Sequence, residues 1–210
     1  RDVCDAGGAQ GYLLDEIVRR HGVAGFGCDI SDQVIAQNRQ RMPHCQFETV
    51  DLTKSGWPGG RQFDLVISSE VIEHIDDWKA AVRNLVGMSR KYLLITVPGG
   101  TVRAVDRMLG HYRHFQGPEL VAELEAAGCT ILRQARWGFP VHSLYKRLTS
   151  GIAPEKMYAS FLGGREYSLC QKLACHVLTA AYYVNDLFAS GDQLLFLART
   201  PGTPAERAHS

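Results

Sequence analysis

The chain has 210 residues, of which 45% are hydrophobic, and its formal net charge is +1. This length supports one domain around a single core, and the near-zero charge gives no basic stripe that would indicate binding to nucleic acid. Six cysteines without a C-x-x-C pair, together with no signal peptide and no apolar run of membrane-spanning length, predict a cytoplasmic protein without stable membrane insertion.

The first predicted strand starts almost at Arg1, which is not a methionine and indicates a fragment or a partly ordered chain. The strand ends at Asp5, and a glycine-rich turn leads from it into a predicted helix over 13–21. A strand, a tight glycine turn and a helix N-terminus form the local design of a nucleotide-binding unit. Glycines let a ligand approach the chain closely, and the free N–H groups of the helix favour a negative group.

The spacing of this turn fits two families of nucleotide-binding proteins. The pattern A-x-G-x-x-G from Ala6 is a degenerate dinucleotide fingerprint, whereas D-x-G-x-A-x-G from Asp5 resembles the D-x-G-x-G-x-G signature of class I S-adenosylmethionine (SAM) methyltransferases. The carboxylate of Asp5 favours the methyltransferases, because a pyrophosphate gains nothing from it and a ligand with an ammonium and a sulfonium does. Ala9 departs from the family pattern, which usually has glycine there.

Two more acids follow predicted strands. Asp29 ends the strand over 23–29, 18 residues after Gly11, close to where a Rossmann unit has its ribose-binding acid. Its two oxygens are able to accept from both ribose hydroxyls. Asp51 follows the strand over 45–50, and the methyltransferase resemblance implies that it accepts from the adenine amino group while Leu52 packs on the ring.

The resemblance becomes specific at the fourth strand. Residues 63–69 form a near-continuous apolar run, typical of a strand buried in a parallel sheet, and the sequence from there is FDLVISSEVIEHI. With a predicted helix over 78–88 and a strand over 92–97, it is similar to the fourth and fifth motifs of class I methyltransferases. The closest group is the type 11/12 small-molecule enzymes, and the similarity extends from Val3 to about Gly128.

The rest of the chain adds to this common core. A loop over 101–116 contains GHYRHF, similar to an element that lies over the active site in the family, and a helix over 118–127 and a sixth strand over 129–137 follow. Residues 138–192 are an insertion with an amphipathic helix over 166–188, which is a candidate lid, dimer face or membrane-surface helix. A last strand over 193–199 precedes a tail over 201–210 that we predict to be disordered.

These elements predict a single α/β domain over 1–200, with a SAM-binding core over 1–137. By the family's order, its sheet is Rossmann-like, seven-stranded and mostly parallel, with an antiparallel last strand and helices on both faces. The resemblance implies transfer of a methyl group from SAM to a small-molecule acceptor, in specialised metabolite, sugar or lipid biosynthesis, leaving S-adenosylhomocysteine. O-methylation is favoured, with N- or C-methylation open. The alternatives are an NAD(P)-dependent oxidoreductase and a non-catalytic SAM-binding protein, and a homodimer is also open.

The candidate site residues fall into three groups. The predicted cofactor-binding residues lie at the ends of the strands: Asp5, Gly7, Gly8, Ala9, Gly11, Asp29, Ile30, Asp51, Leu52, Ser69 and Glu70. The predicted bases are His111, His114 and His74, which follow the fourth and fifth strands. Residues expected to contact the acceptor are Tyr112, Arg113, Tyr182 and Tyr183. No metal ligands are predicted, because these histidines form no helical pair and no neighbouring cysteine or acid completes a zinc pattern.

Overall fold

The computed structural model describes residues 1–149, 153 and 169–201, and within them seven strands form one sheet. The strands are β1 (Asp2–Ala6), β2 (Ala24–Asp29), β3 (Gln46–Thr49), β4 (Phe63–Ser69), β5 (Ser89–Pro98), β6 (Thr130–Trp137) and β7 (Gln193–Arg199). Their order across the sheet is β3-β2-β1-β4-β5-β7-β6. Strands are therefore added to one side of β1 up to β3, and to its other side from β4 onward. Open α/β sheets bind ligands at such a switch point, which lies here between β1 and β4.

The helices connect these strands. They are α1 (Tyr12–His21), α2 (Asp32–Arg41), α3 (Trp78–Met88), α4 (Ala104–Met108), α5 (Gly117–Ala126), α6 (Val141–Thr149) and α7 (Leu169–Tyr182). Short 3₁₀ turns lie at Pro58–Gly60, Ile72–His74 and Tyr183–Leu187. Within the described residues, no helix is both long enough and apolar enough to cross a membrane.

The predicted sheet is confirmed, including the direction of its last strand. β1 pairs in parallel with β2 and β4, β2 with β3, and β4 with β5. β7 lies between β5 and β6 and runs antiparallel to both. The last described strand therefore joins β6 to the parallel part of the sheet, because β5 and β6 do not pair directly.

The core divides into two clusters of buried side chains. The larger cluster joins α3 and α5 to the middle of the sheet through residues such as Phe63, Leu85 and Leu120. The smaller one holds α1 and α2 through Leu14 and Ile35. Because β1 pairs in parallel with β2 and β4, the carboxyl ends of these three strands lie at one edge of the sheet.

The insertion differs from its predicted form. The continuous helix over 166–188 is wrong at its C-terminus, because α7 ends at Tyr182 and a 3₁₀ turn follows, while residues 166–168 lie outside the described residues. The apolar face expected on this helix is mostly open, with Leu169 85% and Leu173 66% exposed. The predicted disordered tail lies, from residue 202 onward, outside the described part of the chain.

Candidate functional site

The turn after β1 is held by backbone and side-chain hydrogen bonds. The Gly7 N–H donates to the Cys28 carbonyl at 2.7 Å, which anchors the turn to β2. Gly7 has a φ of 82° and Gly11 one of 67°, conformations that favour glycine, and Gly11 is the N-cap of α1. The Asn38 amide donates to the Ala9 carbonyl at 2.7 Å, so α2 supports the same turn.

Asp5 lies beneath the turn and is almost completely buried, at 2% exposure. A Cβ at Gly8 would stand 2.2 Å from the Asp5 carboxylate, so glycine is required there by the packing of this side chain. Burial, and next the charge of Asp29, raise the pKa of Asp5 to about 6. The carboxylate therefore packs under the backbone that faces the cavity.

A cavity of ≈ 490 Å³ opens at the edge where β1, β2 and β4 end. This volume is in the range of about 300–1,000 Å³ that ligand sites occupy. Nine of the predicted site residues line it: Gly7, Ala9, Asp29, Ile30, Asp51, Leu52, Glu70, His74 and Tyr112. The cavity also has an apolar wall, formed by Val50, Val71 and Ile75, which the sequence did not predict.

Asp29 stands at the end of β2 with capacity to accept from a ligand. Its Oδ1 accepts from the Ser31 N–H at 3.0 Å, and its Oδ2 accepts from the Ala9 N–H at 3.3 Å. A carboxylate has about four acceptor positions, so two of them are left after these contacts. The carboxylate is thus oriented by the backbone and is still able to bind a pair of hydroxyl groups.

Asp51 is oriented in a similar way after β3. Its Oδ1 accepts from the Thr53 N–H at 3.0 Å and from the Thr53 hydroxyl at 2.7 Å, and Lys54 lies 3.0 Å from Oδ2. The hydrogen bond from the Thr53 side chain, followed by that from Lys54, lowers the pKa of Asp51 to about 2. The group is therefore an ionised acceptor at neutral pH, next to the buried side chain of Leu52.

Two residues that line this cavity have backbone conformations that non-glycine residues rarely adopt. Ala9 has a φ of 42° and Glu70 one of 56°. Left-handed conformations cost roughly 1–2 kcal/mol for residues with a Cβ, and such residues concentrate at binding and catalytic sites. The Glu70 carboxylate accepts from the Thr96 hydroxyl at 3.2 Å, which keeps it turned toward β5.

A second cavity of ≈ 310 Å³ lies on the other side of Glu70. Besides Glu70, its walls are Thr96, Trp137, Gln193, Leu194 and Leu195. The Trp137 indole N–H donates to Asp186 at 2.8 Å, and its ring stacks on Tyr182 at a centroid distance of 5.9 Å. Glu70 thus lines both cavities. The glycine turn borders the first cavity, and β7 borders the second.

The three histidines predicted as bases come together in one cluster. The His74 and His111 ring centroids are 4.5 Å apart, and His111 Nδ1 lies 3.2 Å from His114 Nε2. Burial, and next the neighbouring His74 and His114, lower the pKa of His111 to about 4, so its imidazole is neutral at pH 7. His74 is the member that lines the large cavity, and His111 and His114 stand behind it.

Two acids adjoin this histidine cluster, and the sequence did not predict either of them there. Glu73 is fully buried, with Oε1 4.0 Å from His74 Nε2, and Asp106 lies 3.5 Å from His114 Nε2. Burial, and next the charge of Glu70, raise the pKa of Glu73 to about 8. The Tyr112 N–H donates to the Glu73 carbonyl at 2.9 Å, and this contact between distant segments brings the two acids to one histidine cluster.

The remaining predicted site residues lie outside the lining of both cavities. Asp5, Gly8 and Gly11 form the underside of the turn. Ser69 is bonded to Thr96 behind Glu70, and Arg113 lies over the Trp78 ring. Tyr182 stacks on Trp137, which lines the second cavity, and Tyr183 is 70% exposed.

Residues 1–134 match a family model described as a methyltransferase domain. No curated protein has a significantly similar sequence. Among solved structures, the chain resembles the [4+2]-cyclase SpnF with a TM-score of 0.64 and 18% identity, over 96% of this chain and 76% of that one.

Two further structures have the same fold. One is magnesium protoporphyrin IX methyltransferase from Synechocystis PCC 6803 with bound SAH, with a TM-score of 0.55 and 17% identity over 94% of this chain and 73% of that one. The other is phosphoethanolamine N-methyltransferase 2 of Haemonchus contortus in complex with S-adenosyl-L-methionine, with a TM-score of 0.60 and 17% identity over 96% of this chain and 49% of that one. At these identities the likeness establishes the fold alone.

Proposed function

This chain belongs to the methyltransferase-domain family, and from that premise we propose that it transfers the methyl group of SAM to a small-molecule acceptor. The observation that carries the proposal is the cavity at the ends of β1, β2 and β4, in which Asp29 and Asp51 present oriented carboxylates. Two of the structures with the same fold, named above, contain SAM or its demethylated product.

The residues present fit this cofactor. Asp29 keeps two acceptor positions for the ribose hydroxyls, and Asp51 is an ionised acceptor for an amino group such as that of adenine. Leu52 and Val50 give the apolar surface on which a purine ring packs. The backbone at Gly7 and Ala9 faces the same cavity, and the methionine part of the cofactor would pass along it.

When bound, SAM supplies a methyl carbon that is already activated by its sulfonium. The protein then contributes mainly alignment of the acceptor with that carbon, which can lower a barrier by roughly 7–11 kcal/mol. We infer that the second cavity holds the acceptor, because its apolar walls meet the first cavity at Glu70. Glu70 is placed to orient an acceptor hydroxyl, so O-methylation remains the favoured reaction, ahead of N- or C-methylation.

We propose that the histidine cluster takes up the proton of the acceptor when methylation requires the acceptor to lose one. Of the predicted bases His111, His114 and His74, we place His74 nearest to the reaction because it lines the cavity. Burial lowers the pKa of His74 below its ordinary value, so its imidazole is neutral at pH 7 and able to accept. His111 and His114 act on the acceptor only through His74.

Ligand-induced stabilisation tests the cofactor assignment. SAM and S-adenosylhomocysteine should raise the melting temperature, because a ligand at 100 times its Kd stabilises a protein by about 2.7 kcal/mol. NAD and NADP should not. Asp29→Ala should weaken SAM binding at least roughly tenfold in calorimetry, since hydrogen bonds to a charged group contribute about 1.5–3 kcal/mol.

The matched control is Asp32→Ala, an acid three residues away that bonds Thr49 and does not line the cavity. It should bind SAM as the parent does. Stabilisation by NAD in place of SAM would favour the oxidoreductase alternative. SAM binding without methylated product over a panel of phenols, sugars and amines would favour a non-catalytic SAM-binding protein.

A further inference from the structure

Two segments of the chain that are far apart in sequence are tied together beside the large cavity. One is the 3₁₀ turn Ile72–His74, and the other is the loop after α4. The Tyr112 N–H donates to the Glu73 carbonyl at 2.9 Å, which joins the two segments through their backbones. As a result, one ligand atom each from Glu73, His74 and His111 lie within 4.8 Å of one another.

Glu73 is the unusual member of this group. Its side chain is 0% exposed, and among the described residues neither carboxylate oxygen has a hydrogen-bond partner. A buried carboxylate without a partner is costly, because it loses its hydration and gains nothing in return. Such a group is normally paired, protonated or bound to a cation. The ring nitrogen Nε2 of His74, which is able to bind a metal, lies 4.0 Å from Oε1 of Glu73.

We propose that Glu73, His74 and His111 bind a divalent transition-metal ion. Two imidazole nitrogens and a carboxylate oxygen suit zinc and other ions of that series, which prefer His and Asp or Glu ligands at about 2.0–2.2 Å. Three protein ligands are the usual number in a zinc site that keeps a coordination position open. On binding, the cation would take the place of the proton that the buried Glu73 carboxyl otherwise keeps at pH 7.

The surroundings orient both histidines, as is usual around metal ligands. His74 donates a hydrogen bond to the backbone carbonyl of Gly110, and His111 Nδ1 lies 3.2 Å from His114 Nε2. His114 in turn lies 3.5 Å from Asp106. His114 Nε2 therefore lies between Asp106 and His111 Nδ1, and these contacts orient the ring of His111.

A second combination of ligands, Asp106 with His111 and His114, is also close enough to hold an ion. It is less suited to one, because the Asp106 carboxylate already accepts from the Arg103 N–H at 2.7 Å and contacts the Arg103 guanidinium at 3.3 Å. Asp106 thus has an arginine partner, whereas no lysine or arginine of the described residues pairs with Glu73. We therefore assign the ion to Glu73 and treat Asp106 as a positioning residue for His111.

The ion would face the large cavity, because His74 is part of its wall. If the proposed methyl transfer is right, the open coordination position is available to an oxygen or nitrogen of the acceptor. A cation lowers the pKa of such a group, so the group would release its proton to solvent water without a protein base. In that state His74 is a ligand and not the proton acceptor, and metal analysis decides between these two roles.

Metal binding is measurable without SAM or any acceptor. The purified protein is stripped with a chelator and titrated with Co²⁺, followed by visible absorption, and with Zn²⁺, followed by calorimetry. We expect one equivalent of each, and at least a tenfold loss of affinity in Glu73→Gln and in His111→Asn, since even the loss of an outer partner costs 10–100-fold. His44→Asn, an exposed histidine near Asp15, should bind as the parent does.

Two results would overturn the proposal. One is the absence of stoichiometric binding by the parent at millimolar Co²⁺ and Zn²⁺. The other is binding that survives Glu73→Gln but is lost in Asp106→Asn, which would place the ion on the second combination. SAM affinity of each variant, measured by calorimetry, shows that the fold persists and keeps a failure here distinct from a failure of the cofactor assignment.

Discussion

At the scale of single residues, buried acids govern this site, and Asp5 provides a prediction on stability. Its pKa is raised from 3.8 to about 6 in the folded protein by burial and by Asp29. The folded state therefore holds the Asp5 proton to higher pH than the unfolded chain. The stability that this group contributes is complete below about pH 3.8 and is lost as the pH rises through 6.

Asp5→Asn keeps the shape of the side chain without its charge. Relative to the parent, the free energy of unfolding of this variant should increase as the pH rises from 4 to 6, by on the order of 2–3 kcal/mol. Urea unfolding at several pH values measures the difference. Asp64→Asn is the opposite control, since hydrogen bonding to Arg90 lowers the pKa of Asp64 to about 2 and its effect should change only below pH 4. A pH-independent difference at Asp5 would contradict the prediction.

At the scale of elements, β6, β7 and the insertion give the second cavity its walls. Trp137, the last residue of β6, lines it and is held by Asp186 in the 3₁₀ turn after α7. The insertion therefore acts on this cavity through the position of Trp137. Apolar side chains on α7 and on the 3₁₀ turn after it, such as Leu169 and Leu187, are exposed. They are candidates for a contact between two copies of the chain, and the homodimer stays a prediction.

Trp137→Leu should raise the KM for the acceptor and leave the SAM dissociation constant nearly unchanged. The reason is that Trp137 lines the second cavity and not the one assigned to the cofactor. Both values are measurable with the acceptor that gives most product in a panel of phenols, sugars and amines. Tyr92→Leu, an aromatic near the start of β5, is the control. Equal loss of both affinities would indicate that Trp137 supports the fold as a whole.

At the scale of the whole molecule, local sequence patterns predicted the sheet and nine of the residues that line the large cavity. Both ends of β4 were predictable, because FDLVISS is an apolar run between polar loops. Asp29 was predictable as a candidate site residue, because it is an acid at the end of β2. Contacts between distant segments carry no local signal. Glu73 meets His111 across 38 positions of sequence, and Trp137 meets Asp186 across 49, so neither the histidine–acid cluster nor the second cavity was predictable.

The placement of β7 makes a prediction for the cooperativity of the fold. Phe196 in β7 is 0% exposed and belongs to the larger core cluster, and β7 joins β6 to β5. Phe196→Ala should therefore cost about 3–5 kcal/mol and destabilise both parts of the sheet in one transition. Tryptophan fluorescence and far-UV circular dichroism should change at the same urea concentration. Leu195→Ala, on the opposite face of β7 and only partly buried, should cost less. Separate transitions would mean that β6 unfolds independently of the parallel strands.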